Sequence, residues 1–216
     1  MARRVADYCP PTASLDTSLI IWKRDREMHR VHDAKYSGNQ FNPSASGNAR
    51  FSPIRDTSGV LIPTLYAGTS LDCALMETIF HDLPYSSGFK PVSKRKIVGK
   101  VHSVVLPRIE LTLIDLSTIA LHKLGIDRVH LIDTTKAHYP RTRSWAEALY
   151  AQVPTAHGLS WTSRRHDREQ AVLLFGVRLH ASDLEISGPC VPLLEEPNSV
   201  VALIGLAARL GATLVN

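Results

Sequence analysis

Five polar residues in the first and last thirds of this 216-residue chain have types that suit an anionic nucleotide better than a packed core. Arg30 sits in Met28-His29-Arg30-Val31-His32, and Arg50 in Ala49-Arg50-Phe51-Ser52-Pro53. Tyr66 ends the apolar run Leu61-Ile62-Pro63-Thr64-Leu65-Tyr66. Glu77 lies within Ala74-Leu75-Met76-Glu77-Thr78-Ile79-Phe80, and Ser163 within Gly158-Leu159-Ser160-Trp161-Thr162-Ser163-Arg164. Arginine forks bind phosphate oxygens in pairs. A carboxylate stabilises developing positive charge, and hydroxyls orient what is bound.

The carboxylate is the informative member. Thr69 or Ser70 can cap a helix running to about Phe80. On it Leu71, Ala74, Leu75, Thr78 and Ile79 form one apolar stripe, and Cys73, Met76 and Phe80 a second opposite it. Glu77 falls on the flank between two faces that both want burial. A carboxylate there is costly unless it is paired or used.

The other elements must place the remaining groups around it. Residues 1–20 contain Pro10-Pro11 and no periodicity, and read as an extended arm preceding a domain over 21–216. An extended Met28–His32 puts Met28, Arg30 and His32 on one face and His29 and Val31 on the other. This separates His29 from His32 and argues against a metal pair. Residues 36–59, rich in Gly, Ser, Asn and Pro, form a long loop whose embedded Tyr36, Phe41 and Phe51 imply order and function. Leu61–Ala67 reads as one buried strand, 94–106 as a long alternating strand, and Glu110–Leu116 as another. Ser117–Leu124 is a short helix stopped by Gly125, and Arg143–Val153 a longer one. Gly158–Ser163 and Gln170–Val177 are strands joined by a charged turn, and a helix from Asn198 or Ser199 to Leu210 closes the chain. Interleaved strands and helices without repeats or a linker give an α+β (mixed α/β) single domain.

Composition sets the outer bounds. Hydrophobic content of 44% with 21% charged residues describes an ordinary globular protein. No apolar run approaches the roughly 20 residues that span a bilayer. The basic start at Met1–Asp7 lacks a following apolar segment, so no secretory signal is expected. Cys9, Cys73 and Cys190 make neither a metal-ligand pattern nor a disulfide framework, consistent with a reducing cytoplasm. The net charge of +5 favours an anionic partner. Its basic residues form short clusters (Lys94-Arg95-Lys96, Arg141 with Arg143, Arg164-Arg165 with Arg168) without the aromatic interleaving of a nucleic-acid platform. Neither phosphate-binding glycine motif occurs.

Taken in order, the Arg30 motif, Ala49-Arg50-Phe51, Leu65-Tyr66-Ala67, Ala74-Leu75-Met76-Glu77 and Trp161-Thr162-Ser163-Arg164 resemble the RES-domain family, toxin components of RES–Xre toxin–antitoxin systems. The match covers roughly Trp22 to Arg178. The chain departs from the family's usual pattern with His29 before Arg30, Ala49 for glycine and Trp161 for tyrosine. The resemblance implies a compact fold similar to ADP-ribosyltransferases that binds NAD+ and splits its nicotinamide–ribose bond. NAD+ is then the substrate, with water or phosphate as acceptor, no resident cofactor or metal, and an Xre-type antitoxin as partner. Glu77 would stabilise the oxocarbenium-like ribosyl centre, as carboxylates do in glycoside hydrolysis. Arg30 and Arg50, with Arg164 as a third candidate, would hold the pyrophosphate. Tyr66 would stack on a ring and offer its hydroxyl, and Ser163 would bond the nicotinamide amide or a ribose oxygen. Ser163 lacks a nucleophile elbow.

Simpler roles stand beside these. Arg50 could tie down the loop through backbone carbonyls, and Tyr66 could be an ordinary strand aromatic. Two other functions remain open: an ADP-ribosyltransferase acting on a protein, and a basic nucleic-acid-binding module or ribonuclease.

Overall fold

A computed structural model describes residues 9–216. Along the chain lie β1 (Ser18–Trp22), β2 (Met28–Asp33), β3 (Ile54–Arg55), β4 (Leu61–Ile62), β5 (Thr64–Gly68) and α1 (Leu71–Thr78). Then come β6 (Lys90–Ser93), β7 (Lys100–Pro107), β8 (Leu111–Asp115), α2 (Thr118–Leu124), α3 (Arg128–Leu131) and α4 (Tyr139–Gln152). The chain continues through β9 (Gly158–Thr162), β10 (Gln170–Phe175), β11 (Leu184–Pro192), α5 (Pro197–Arg209) and β12 (Ala212–Val215).

Eight strands form one sheet in the order β1-β8-β9-β10-β5-β2-β7-β11. Its ladders are antiparallel except the parallel β8–β9 pair. β10 is central and buried on both faces. Ala171, Leu173 and Phe175 pack with Trp145 and Leu149 of α4. Val172 and Leu174 pack with Trp22, Met28, Val105 and Leu113. That second cluster draws side chains from both ends of the strand order, so the sheet curls upon itself and shares one core across its concave face. A third cluster packs Leu75, Ile79 and Phe80 of the α1 region against Leu203 and Leu206 of α5. Each fully buried side chain of this size contributes about 1.5–3 kcal/mol.

Local chemistry sets the boundaries. Ser70 caps α1, its hydroxyl accepting from the Cys73 N–H at 3.1 Å. Ser117 caps α2, and Gly125, at φ +76°, ends it in the left-handed conformation. Several expectations shift. Ser18–Ile20, assigned to the arm, belong to edge strand β1; residues 1–8 of that arm lie outside the described residues. Pro63, which cannot donate to a ladder, divides the expected Leu61–Ala67 strand between two sheets. The alternation from residue 94 is strand only from Lys100, because Lys94–Lys96 form a single 3-10 turn and Gly99 turns at φ +71°. α4 begins at Tyr139, four residues before the expected Arg143, with Pro140 in its first turn.

One join in the sheet differs from the rest. β2 pairs with β7 at six consecutive positions, yet with β5 only at His29–Gly68. Beyond that pair the two strands diverge. Asn42 from the 36–59 loop pairs instead with Thr64, through Asn42 N–H to Thr64 O (2.8 Å) and Thr64 N–H to Asn42 O (3.1 Å). The sheet is split between β2 and β5, and the loop fills part of the gap.

Candidate functional site

The split opens into a cavity of about 380 Å³. β2 contributes both of its faces there (His29 and Val31, Arg30 and His32), which a fully paired strand would not present on one side. Tyr66 and Ala67 of β5, Glu77 of α1, Arg50 of the loop and Trp161 of β9 complete the inner wall. Four of the five residues singled out in the sequence therefore meet at one surface. The fifth stands outside it.

Glu77 lies half-buried in the last turn of α1, where the helix dipole disfavours a carboxylate by roughly 0.3–1 kcal/mol. What holds it there is Ser163, fully buried, whose hydroxyl donates to Glu77 Oε1 at 2.6 Å. Ser163 Oγ in turn accepts from the N–H groups of Arg165 and His166, both at 3.1 Å. The hydroxyl is thus fully engaged by protein groups. It fixes the carboxylate instead of lining the cavity.

Both arginines reach the cavity but are held by backbone. Arg30 Nη1 donates to the carbonyls of Gly38 (2.7 Å) and Gln40 (2.8 Å) and ties down the start of the long loop. Burial pushes its guanidinium down to about 10, so it stays charged at neutral pH. Arg50 Nη1 donates to Thr134 Oγ1 at 2.9 Å, and its guanidinium lies 5.2 Å from the Tyr139 ring centroid, a cation–π contact. Burial lowers its pKa, while Tyr139 and Glu77 oppose that shift. Arg50 therefore secures the 131–134 segment more than its own loop. The recorded bonds engage one nitrogen of each fork. Arg164 is likewise tied to the carbonyls of Asp133 and Thr134, and it does not line the cavity.

Tyr66 accepts from the Phe51 N–H at 2.9 Å and so pins the loop to β5. Its ring stands edge-on to Trp161 at 6.1 Å, and Trp161 edge-on to Phe51 at 5.1 Å. Burial pushes the Tyr66 phenol up, so it remains protonated. The loop is ordered as expected from its aromatics: Phe51 is buried and Phe41 packs on Gly176, although Tyr36 is exposed.

The rim holds a cluster that the sequence reading did not single out. Asp82 Oδ1 lies 2.9 Å from His81 Nδ1, and His81 Nε2 lies 3.0 Å from the Tyr139 hydroxyl. Lys136 donates to Asp82 Oδ2 at 2.7 Å. Partial burial opposes ionisation of Asp82, but hydrogen bonds from Lys136 and His81 win and hold it down to about 2. With Asp82 ionised, Nδ1 carries the imidazole proton and Nε2 accepts from Tyr139. Only His81, four residues beyond Glu77, offered a local sign of this arrangement.

At the other end, His29 Nδ1 and His102 Nε2 lie 3.0 Å apart. Burial, reinforced by His29 and His32, pushes His102 down to about 4. Burial also lowers His29, against the pull of Glu27. Depressed histidine values mean that the unfolded chain binds more protons in this window. The contribution of His102 to stability is thus complete above about pH 6.5 and lost as pH falls towards 4, about 2 kcal/mol by pH 5. Urea unfolding at pH 7.5 and pH 5 should show this loss in the wild type and a smaller one in His102→Gln. Equal losses would remove the histidine pair as its source.

Among the described residues, a curled mixed sheet flanked by five α-helices, split to admit a cavity carrying a braced carboxylate and two arginines, defines a single-domain mixed α/β protein. The chain belongs to the RES-domain family, whose model (RES domain) matches residues 27–192. No curated protein sequence matches it significantly. Among solved structures it is similar in fold to a chain of the M. tuberculosis MbcT–MbcA toxin–antitoxin complex. The two share 12% identity and superpose with a TM-score of 0.58, over 80% of this chain and 86% of the other. Among the described residues, no helix is long and apolar enough to cross a membrane.

Proposed function

We propose that this protein is the toxin of a toxin–antitoxin pair and that it degrades NAD+ by breaking the nicotinamide–ribose N-glycosidic bond. The observation that carries this reading is Glu77, braced by Ser163 and facing a cavity that also holds Arg30 and Arg50. Loss of nicotinamide leaves an oxocarbenium-like ribosyl centre, which a fixed carboxylate stabilises more than it stabilises the ground state. The uncommitted edges of the two arginine forks would take the pyrophosphate, and Tyr66 and Trp161 would flank a ring. NAD+ is the substrate, water or phosphate the acceptor, and an Xre-type antitoxin would silence the protein by covering the cavity. Membership of the RES family and the fold shared with a chain of a toxin–antitoxin complex support this partnership.

The nucleic-acid reading loses support from the basic cluster at 164–168. Arg164 is spent on backbone carbonyls, and Arg165 bonds the Leu83 carbonyl and lies over the Tyr85 ring.

The test is incubation of the purified protein with NAD+, with and without phosphate, following nicotinamide release. Release at catalytic rates is expected. Intact NAD+ together with an unlabelled protein acceptor would end the reading, and label passing from NAD+ to protein would redirect it to a transferase.

A further inference from the structure

Asp82, His81 and Tyr139 are joined in series, with Asp82 orienting the Nδ1 proton and Nε2 turned to the phenol. All three line the cavity, and Tyr139 is 1% exposed. A hydrogen-bonded chain that ends in a buried hydroxyl facing a cavity can withdraw a proton from whatever stands there. We propose that Asp82, His81 and Tyr139 form a proton relay that activates the acceptor, and that the acceptor is water.

This rests on the NAD+-cleaving reading and specifies its second half. The C1′–N bond breaks, and its electron pair leaves with neutral nicotinamide. A water oxygen then forms the bond to C1′. One water proton passes to the Tyr139 oxygen as the Tyr139 proton passes to His81 Nε2, and the imidazolium, stabilised by Asp82, releases it to solvent. The products are ADP-ribose, nicotinamide and a proton. Phosphate dianion would need no such base. The charges around the relay also disfavour it: Glu77 and Asp82 are carboxylates, and Lys136 is already paired with Asp82. Arg50 is held against the Tyr139 ring and suits a phenol gaining transient negative charge.

A nucleophile without a proton to lose separates the relay from a structural clip. 3-Acetylpyridine attacks through a ring lone pair, so its exchange for nicotinamide needs Glu77 but no base. In His81→Gln, hydrolysis should fall at least about thirtyfold while exchange stays within about twofold of wild type. Tyr139→Phe should behave alike. Asp82→Asn, at a side chain 52% exposed, is the variant least able to disturb folding and should show the same split more weakly. Hydrolysis and exchange falling together in Asp82→Asn and His81→Gln, or neither falling, overturns the relay and leaves NAD+ cleavage standing. A wild-type product that is mainly ADP-ribose 1-phosphate in phosphate buffer overturns it as well. Wild-type protein that performs neither hydrolysis nor exchange overturns both readings.

Discussion

Glu77→Gln should lower NAD+ turnover by about 1000-fold, close to 4 kcal/mol of transition-state stabilisation, without weakening the fold. Glutamine keeps the shape and can still accept from the Ser163 hydroxyl at the position of Oε1. What disappears is the negative charge, and charge is what the ribosyl centre needs as it becomes cationic. The ground-state pyridinium sits farther along the same bond and gains less, so kcat should carry most of the loss. The change should leave the thermal midpoint equal or slightly raised, because it removes a carboxylate from the unfavourable end of α1. Activity within about threefold of wild type would mean that Glu77 serves the helix and not the chemistry.

Ser163→Ala should follow, with kcat down about 100-fold and KM nearly unchanged. The hydroxyl touches Glu77 and two backbone N–H groups. Its loss frees the carboxylate to rotate and leaves the Arg165 and His166 amides without their acceptor, a destabilisation of about 1–3 kcal/mol. Steady-state kinetics beside a urea melt reads both effects. A KM rise with kcat preserved would instead place Ser163 against the substrate, the role the family resemblance implied.

The difference between those roles shows where local sequence stops being informative. Although Thr78, placed on the apolar stripe of α1, is exposed, a cap for α1 at Thr69 or Ser70 and the glycine stop of α2 are settled by neighbours within four residues, and they were legible. So was the awkward position of Glu77, because two apolar faces leave a flank on any helix. Strand pairing is different. The alternation in β2 looks the same whether its neighbour is paired at one position or at six, so the split that makes the cavity had no sequence signature. The brace from Ser163 to Glu77 spans 86 residues, and the His81–Tyr139 contact spans 58. Arg50 and Arg30 were readable as anion-binding candidates, and carbonyl anchoring was foreseen for Arg50, but which carbonyls hold them was not legible, since a carbonyl exists at every position. Alternation across 94–99 misled for a related reason: Gly99 turns the chain more strongly than the flanking pattern extends it.

The order in which the parts of the cavity leave the ribosome follows from this topology. β5 and α1 emerge early, but the β10 strand that pairs with β5 and the serine that braces Glu77 both arrive late. Until then the carboxylate has nothing to hold it and β5 lacks its longest ladder. A growing or prematurely released chain that ends before β10 therefore lacks both the brace on Glu77 and the five-position ladder that fixes β5. Glu77 is thus positioned only once the segment through Ser163 has been made, so the cavity is completed by the last third of the chain.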